Sequence, residues 1–244
     1  MTTNSASPAP EVSLVMPCRN EARTITRCVE RCWHALDTLN VRGEVIVSDN
    51  GSQDASVELA RAAGARVVHA VQRGYGNACR TGLAAATGTY IFKLDADGTY
   101  DPLDVALFLE HFRTGCDYVI GSRLRGNLQP GAMPWSHRYF GNPLLSNVAR
   151  VLCRSGISDI CCGLKGFRRD VYQSLKFVSG GMSFGAETTI RIRQAGLRLA
   201  EVPISYAPDE RQRGTNLNPW RDGVEILLFI IRESQLFRHY AKQT

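Results

Sequence analysis

The sequence lacks any apolar run long enough to cross a membrane. Its most apolar stretch, residues 226–231, is far shorter than the about 20 residues that a membrane-spanning helix needs. A dense basic block is also missing, because the 29 lysines and arginines and 23 acidic residues, with a net charge of +6, are spread along the chain. This pattern argues against nucleic acid as a partner and is compatible with an anionic ligand or a membrane surface.

The eight cysteines lack the spacing of a metal site or a disulfide framework. Cys28 and Cys32 lie one helical turn apart, but no His/Cys pair follows them at the spacing of a zinc site. No secretory signal precedes them. We therefore expect reduced, partly buried thiols in a cytoplasmic protein.

Short apolar segments alternate with helical ones through the first hundred residues. Strand and helix in alternation predict an α/β fold with a doubly wound, mostly parallel sheet. The expected strands are 12–17, 44–48, 65–69 and 91–94, and the helices between them end near residues 39, 63 and 86.

The polar start of the chain and its basic, apolar end are set apart from this alternation. We expect a disordered tail over 1–10, one folded domain over 11–218 and a C-terminal amphipathic helix over 219–244. That helix could lie on anionic lipid at the inner face of the membrane. The alternative is that it packs on its own domain or on a second copy in a homodimer.

Two carboxylates, Asp95 and Asp97, follow the expected strand at 91–94, and Gly98 allows a tight turn after them. Alternate residues of a strand point the same way, so both side chains can face one site. Hard oxygen ligands suit Mg²⁺ or Mn²⁺, which usually accompany a phosphate-bearing substrate. The alternative is a turn that only caps the helix starting near Pro102.

Polar loops at 17–21, 49–54 and 95–101 each follow a strand. In a doubly wound sheet, ligands bind outside the carboxyl ends of the strands. The three loops are therefore expected to converge on one crevice.

Four segments occur in an order and spacing that resemble family 2 glycosyltransferases with the GT-A fold, and in particular the dolichyl- or polyprenyl-phosphate sugar synthases. They are Val-Ser-Leu-Val-Met-Pro-Cys-Arg-Asn-Glu at 12–21, Val-Ser-Asp-Asn-Gly-Ser-Gln-Asp at 47–54, Arg-Gly-Tyr-Gly-Asn-Ala at 73–78 and Leu-Asp-Ala-Asp-Gly at 94–98. Weaker matches at 118–123, 158–167 and 201–204 extend the resemblance over roughly residues 12–215.

The resemblance implies a nucleotide-sugar half over 11–125 and an acceptor half over 126–218. The donor would be a UDP- or GDP-linked sugar. Asp97, with Asp95, would bind Mg²⁺ or Mn²⁺ at the diphosphate, and Asp95 would also contact the ribose or the sugar. The remaining nucleotide-sugar contacts would be Pro17, Arg19, Glu21, Asp49, Gly76, Ala96, Arg211 and Arg213.

The family inverts the anomeric carbon, so the resemblance implies in-line attack by the acceptor. Arg123 and Lys165 would lie near the phosphates. A polyprenyl-phosphate acceptor is already anionic and needs no base, whereas a soluble hydroxylated acceptor would need one, for which Asp159 is the candidate. Both acceptor classes remain open at this point.

Two positions depart from the family pattern. Asn50 stands where a second acid is common, and Gly98-Thr99 replaces a Leu-Gln pair whose Gln helps to hold the metal. The sequence therefore leaves the third protein ligand of the metal unassigned.

The same residues allow other interpretations. Asp95 and Asp97 also fit the first motif of haloacid-dehalogenase-type phosphatases, but the downstream acidic pair of that class is missing. A dinucleotide-binding turn at Gly74 lacks its third glycine, because Cys79 occupies that position. A sugar-nucleotide sensor without activity would leave the downstream basic residues unexplained.

Several candidate residues also have purely structural interpretations. Arg19 could be a solvated loop cation, and Lys165 could belong to a solvated basic cluster. Asp159 could cap the turn before Gly163, and Glu187 could interact with the dipole of a helix that begins beside it.

Overall fold

The computed structural model describes residues 9–211 and 218–240. Its centre is one seven-stranded sheet in the order β3-β2-β1-β4-β6-β5-β7. The strands are β1 (Val12–Cys18), β2 (Gly43–Asp49), β3 (Arg66–His69), β4 (Tyr90–Lys93), β5 (Tyr118–Leu128), β6 (Lys165–Arg168) and β7 (Leu199–Tyr206). Most of the expected tail at 1–10 lies outside the described residues, as do Arg213 and the last four positions of the chain.

Eight α-helices connect and cover the strands in the described part of the chain. They are α1 (Ile25–Thr38), α2 (Ser56–Ala62), α3 (Tyr75–Ala85), α4 (Val105–Arg113), α5 (Asn142–Cys153), α6 (Arg169–Ser174), α7 (Phe184–Gln194) and α8 (Pro219–Tyr240). None of the described helices is both long enough and apolar enough to span a membrane.

The first four strands pair in parallel, as the alternation of strands and helices predicts. β6 enters the sheet antiparallel to both β4 and β5, while β5 and β7 are parallel. The sequence pattern does not predict β6 as a strand, because its four residues include Lys165 and Arg168 and have little strand propensity.

The glycines and prolines of segment 126–141 predict a long irregular loop, but the segment is partly regular. β5 continues to Leu128 and pairs with β7 after a register shift, and a π-helical turn covers His137–Gly141. The loop prediction was wrong there because glycine and polar residues can pair at a sheet edge, where one face meets solvent.

Two apolar cores hold the domain together. The larger lies on the main sheet and contains buried residues of β1, β2, β4 and β5, while β3 packs against it through the partly buried Val67 and Val68. The smaller joins three helices through Leu145 and Ala149 of α5, Ile190 of α7 and Ile230 of α8. The C-terminal helix therefore packs on its own domain along one side.

All eight cysteines lie in the described part, are free thiols and are buried or half-buried. Burial raises the pKa of Cys79 to about 12 and that of Cys28 to about 12, so both are protonated near neutral pH. In the ranges that the structure describes, no three His, Cys, Asp or Glu side chains are grouped to hold a metal ion.

Candidate functional site

The loops that follow β1, β2 and β4 converge at the carboxyl edge of the sheet. The backbone N–H of Glu21 donates to Ser56 Oγ at 2.7 Å, and that of Asn20 donates to Ser52 Oγ at 2.9 Å. The Thr24 hydroxyl donates to the carbonyl oxygen of Ala96 at 2.7 Å. These hydrogen bonds join the three loops into one wall of a crevice.

Asp49 is buried and directed into its own loop. Its carboxylate accepts the backbone N–H groups of Gly51 at 3.1 Å and Ser52 at 3.0 Å, and it lies 3.3 Å from Nδ1 of His69. Burial alone would raise the pKa of Asp49, but the hydrogen bonds from Ser52 and its neighbours lower it. The carboxylate thus stays ionised and fixes the shape of the loop.

Asp97 lies at the centre of the crevice. Its Oδ1 accepts the backbone N–H of Thr99 at 3.1 Å and the Thr99 hydroxyl at 2.6 Å. Oδ2 faces the guanidinium of Arg211 at 3.6 Å. Burial and the neighbouring Asp95 raise the pKa of Asp97. The threonine that departs from the family pattern therefore orients the second carboxylate of the motif.

Arg211 belongs to a segment that covers the acidic motif. The backbone N–H of Glu210 donates to the carbonyl oxygen of Asp97 at 3.0 Å, and that of Ala207 donates to the carbonyl oxygen of Thr99 at 2.9 Å. The Arg211 guanidinium also lies 3.4 Å from Oε1 of Glu21. Its shortest contacts are to Asp209 of its own segment, whose Oδ2 accepts from Nε at 2.8 Å. One cation therefore touches carboxylates from three different segments.

Asp95 has partners that the sequence analysis missed. Its Oδ1 accepts a hydrogen bond from the buried ammonium of Lys93 at 2.6 Å and from the Tyr75 hydroxyl at 3.1 Å. Burial alone would lower the pKa of Lys93, but Asp95 raises it above its ordinary value. The available sequence signal was a lysine in an apolar strand, two residues before the first acid and so on the same side of the chain.

Arg123 and Asp159 form a buried bidentate ion pair. Nε and Nη2 of the guanidinium each donate to the carboxylate at 2.8 Å, and the backbone N–H of Arg123 donates at 3.1 Å. The Asp159 side chain is 0% exposed. Both of its oxygens accept from Arg123, so neither is directed at an acceptor hydroxyl. The general base predicted from the sequence would require such an oxygen. Nor does the carboxylate receive the N–H of Gly163, which donates to the Tyr100 hydroxyl.

Lys165 is buried rather than solvated, so that interpretation of it was wrong. Its ammonium donates to the carbonyl oxygen of Gly185 at 2.9 Å and contacts the Tyr118 hydroxyl at 3.2 Å and the carbonyl oxygen of Ile160 at 3.3 Å. These partners place its charge beneath the start of α7 and not at the acidic motif. Glu187 is also buried, and it accepts the N–H groups of Val178 and Ser179, each at 2.9 Å.

Gly76 packs against protein backbone. A Cβ there would lie 2.4 Å from the carbonyl oxygen of Ser179, and one on Gly74 would lie 2.3 Å from that of Gly180. Gly74 also has φ +134°, a conformation that L side chains rarely adopt. The two glycines thus let the turn before α3 dock on residues 179–181, which Glu187 holds from the other side.

Asn50 explains the missing second acid. Its side-chain amide donates to the carbonyl oxygen of Gln72 at 2.9 Å, and its oxygen accepts the N–H of Gly74 at 2.8 Å. An aspartate could accept from Gly74 but could not donate to Gln72. The asparagine therefore fixes the glycine turn in a way that a carboxylate cannot.

The other nucleotide candidates line the same edge with different exposure. Pro17 is half-buried at the end of β1, Arg19 is exposed in the loop that follows, and Ala96 is buried between the two acids. The 95–101 loop is not merely a cap, since the residue that caps the turn at Pro102 is Asp101, which accepts the N–H of Leu103 at 3.1 Å.

An α/β domain with an acidic pair at the carboxyl edge of its parallel strands is the architecture of an enzyme that binds its ligand in the crevice at that edge. The family model described as glycosyl transferase family 2 matches residues 13–176. The chain belongs to this family and is a glycosyltransferase, which confirms the resemblance drawn from its motifs and removes the phosphatase and dinucleotide alternatives.

Two similar proteins come from Haloferax volcanii. The low-salt glycan biosynthesis hexosyltransferase Agl6 is 37% identical over 224 residues, which cover 91% of this chain and 54% of Agl6. The chain thus spans about half the length of that relative. A dolichyl-phosphate hexose transferase is 30% identical over 223 residues, which cover 91% of this chain and 93% of that protein.

Solved structures with a similar fold include glucosyl-3-phosphoglycerate synthase from Mycobacterium tuberculosis in complex with Mn²⁺, UDP and glucosyl-3-phosphoglycerate. The TM-score is 0.72 with 23% sequence identity, over 93% of this chain and 80% of that one. This likeness confirms the predicted fold.

We expect Gly76→Ala to destabilise the protein, because its methyl group would force the turn away from the backbone of 179–181. The loss should be about 1–3 kcal/mol, as for other overpacked sites, and would appear in chemical denaturation. Gly223→Ala in α8 is the matched control, since a Cβ there meets nothing within 4 Å. It should stabilise by about 0.5–1 kcal/mol. Equal effects of the two substitutions would contradict the packing role of Gly76.

Asn50→Asp should also destabilise, because it turns a carboxylate oxygen toward the carbonyl of Gln72 in a buried position. We expect a loss of about 1–3 kcal/mol in the free energy of unfolding. Asn147→Asp is the control: this exposed side chain accepts from Arg150 and would keep that interaction as a carboxylate. If Asn50→Asp were as well tolerated as Asn147→Asp, the amide would not be required.

Proposed function

We propose that the enzyme transfers a sugar from a UDP- or GDP-linked donor to a polyprenyl phosphate, with inversion and with Mg²⁺ or Mn²⁺. The observation that carries the choice of acceptor is an exposed apolar and basic face formed by α5, the turn before it and α8. A soluble hydroxylated acceptor is the alternative.

The donor set fits a hard divalent cation. Asp97 offers carboxylate oxygen at the end of a central strand with Asp95 beside it, and a cation, Arg211, already lies against its Oδ2. Asp97 would hold the metal, with Asp95 beside it, and diphosphate oxygens and water would complete the shell. When bound, the metal would neutralise the negative charge that develops on the leaving nucleoside diphosphate. The glucosyl-3-phosphoglycerate synthase structures with UDP and Mn²⁺ or Mg²⁺ support this assignment.

The protein's own cations contribute the remaining charge. Arg211 is hydrogen-bonded to Asp209 and lies beside Glu21 and Asp97, so it is suited to contact the donor diphosphate once a ligand enters the crevice. The wall built from Pro17, Arg19, Glu21, Asp49 and Ala96 would receive the nucleoside. Gly76 would act through the position of its turn.

Asp159 is better suited to position Arg123 than to accept a proton. The buried bidentate pair fixes the guanidinium, whose Cζ lies 5.3 Å from the centre of the Tyr206 ring. A phosphate acceptor is anionic before it reacts and needs no base, so this use of Asp159 is compatible with a lipid phosphate. Arg123 would then contact a phosphate, while Lys165 supports the start of α7 from below.

The outer face of the helical layer is unusually apolar for an exposed surface. α5 and α8 share the smaller core, so their opposite sides face outward. The exposed large apolar residues of this outer face are Trp135, Tyr139, Phe140, Leu144 and Val151 at the turn and α5, and Trp220, Val224, Leu228 and Ile231 on α8.

The charge of the outer face favours an anionic partner. Residues 118–158 contain no Asp or Glu, and Arg138, Arg150, Arg221 and Arg232 are exposed. Two of the three acids of α8 turn inward: Glu225 accepts the Ser183 hydroxyl at 2.7 Å, and Glu233 pairs with Arg191 at 3.0 Å. The third, Asp222, accepts the backbone N–H of Asn218 at 2.8 Å at the start of the helix.

Tryptophan and tyrosine beside arginine are typical of segments that lie at a membrane surface. We therefore propose that the outer face docks on an anionic bilayer, where a polyprenyl phosphate would be held. This places the enzyme peripherally on the membrane.

Asp97→Asn should reduce sugar transfer by about a hundredfold or more, because it removes the charge that would hold the metal. It should also abolish the metal-dependent rise in melting temperature with the nucleoside diphosphate. Asp101→Asn is the matched control from the same loop, since asparagine also caps the turn at Pro102. Full activity of Asp97→Asn in the presence of metal would contradict the assignment.

Binding to phosphatidylcholine vesicles that contain phosphatidylglycerol tests the docking surface. The double variant Leu144→Glu/Leu228→Glu should bind at least about tenfold more weakly, because it loses apolar burial and adds negative charge. Val71→Glu is the control, since Val71 is 99% exposed outside the outer face. Sedimentation of the same variants tests whether the outer face instead binds a second copy of the chain. If the wild type self-associates and does not bind vesicles, a homodimer and not a membrane covers this face.

Transfer assays separate the two acceptor classes. The Leu144→Glu/Leu228→Glu variant should lose transfer to a long-chain polyprenyl phosphate in vesicles and keep transfer to a short, water-soluble isoprenyl phosphate. Equal loss on both acceptors would show that the outer face does not serve membrane access. Transfer to a neutral hydroxylated acceptor in place of either phosphate would favour the alternative function.

A further inference from the structure

Lys93 is a buried cation placed directly behind the acidic motif. It is the last residue of β4, its side chain is 2% exposed, and its ammonium lies 2.6 Å from Oδ1 of Asp95. Taking both charges of such a pair out of water is costly, and apolar residues in their place are often equally stable. A buried lysine beside the acidic motif, at the end of a central strand, therefore points to a role in the site.

Tyr75 completes a fixed cluster around the same oxygen. Its hydroxyl donates to Asp95 Oδ1 and accepts from the Lys93 ammonium. The other oxygen of Asp95, Oδ2, lies against Gly163. A Cβ added at Gly163 would be only 2.4 Å from this oxygen, so the glycine leaves the space that it fills. The orientation of the Asp95 carboxylate is thus set on both sides.

A second buried lysine shows that this arrangement is specific. Lys165 is the direct partner of Lys93 across the β4–β6 pair and is equally buried. Its ammonium binds carbonyl oxygens and a hydroxyl. Of these two buried ammonium groups, the one at the acidic motif has the carboxylate partner.

Tyr75 also links Asp95 to the glycine turn. It directly follows Gly74, whose N–H donates to Asn50. A displacement of this turn would therefore move a hydrogen-bond donor of Asp95. The turn and the first acid of the motif form one mechanical unit.

We infer that Lys93 and Tyr75 are positioning residues: they hold Asp95 away from the metal and so produce the division that the resemblance implies, with Asp97 on the cation and Asp95 on the sugar nucleotide. This inference rests on the proposed function. It narrows the pair of metal ligands expected from the sequence to one direct carboxylate.

Binding of Mn²⁺ alone, followed by electron paramagnetic resonance, provides a test that does not depend on turnover. Lys93→Met should bind Mn²⁺ at least about tenfold more tightly, because the variant loses a neighbouring positive charge and frees a carboxylate. The double variant Lys93→Met/Asp95→Asn removes both charges of the pair and leaves their sum unchanged. It should bind Mn²⁺ within about threefold of wild type while raising the KM of the sugar nucleotide about tenfold or more.

Two results would overturn the inference. One is an unchanged or weaker Mn²⁺ affinity in folded Lys93→Met. The other is a double variant that binds Mn²⁺ at least about tenfold more weakly than wild type, since Asp95 would then be a direct ligand. The double variant keeps the test usable if Lys93→Met does not fold, because a neutral buried pair is commonly tolerated.

Tyr75→Phe isolates the second residue. It should raise the KM of the sugar nucleotide about threefold and leave Mn²⁺ affinity unchanged, since the Lys93–Asp95 pair remains. An unchanged KM would remove Tyr75 from the inference. Failure of the proposed function has a different signature, because wild type would then show no stabilisation by Mn²⁺ with UDP or GDP.

Discussion

The structure depends on keeping two carboxylates charged at the end of one buried strand. Asp95 and Asp97 repel each other, and burial together with that repulsion raises the pKa of Asp97. The negative charge of each carboxylate is stabilised by different groups. Asp95 is bound by the Lys93 ammonium and the Tyr75 hydroxyl, whereas Asp97 is bound by the Thr99 hydroxyl and faces the Arg211 guanidinium. The difference matters, because a buried lysine is hard to displace whereas the contact to Arg211 is 3.6 Å long and partly exposed. An incoming cation would therefore meet Asp97 first.

The glycine turn connects this acidic motif to the rest of the molecule. On one side it is held by the amide of Asn50, and on the other it packs on residues 179–181. That second segment is fixed by Glu187, and the adjoining Ser183 is bound by Glu225 of the C-terminal helix. A continuous set of contacts therefore runs from the helix of the outer face to Tyr75 and Asp95. If that helix docks on a surface, the docking would therefore act on the segment around residues 179–181, which supports the glycine turn.

The sequence predicts the parts of the molecule that depend on local pattern. The alternation of strands and helices predicted the first four strands. Because ligands bind at the carboxyl ends of parallel strands, it also predicted that the loops after them meet at one edge of the sheet. The sequence pattern could not predict β6, because pairing with β4 and β5 overrides the weak strand propensity of Lys165 and its neighbours. The roles of Asn50 and Lys93 were missed for a related reason. Their partners lie in the fold rather than in a motif, and the Asn50 amide is satisfied by a turn more than twenty positions away.

Asp159 shows why a carboxylate of the right type near a site is insufficient to assign a base. A general base needs an oxygen within reach of the proton that it removes. Here each oxygen already accepts from Arg123, and breaking that pair would leave a guanidinium buried without its counter-charge, a cost of about 3–5 kcal/mol. A base in this position would have to overcome that cost in every turnover. An acceptor that arrives with its own negative charge avoids it, and the intact pair then presents Arg123 as a fixed cation for that charge.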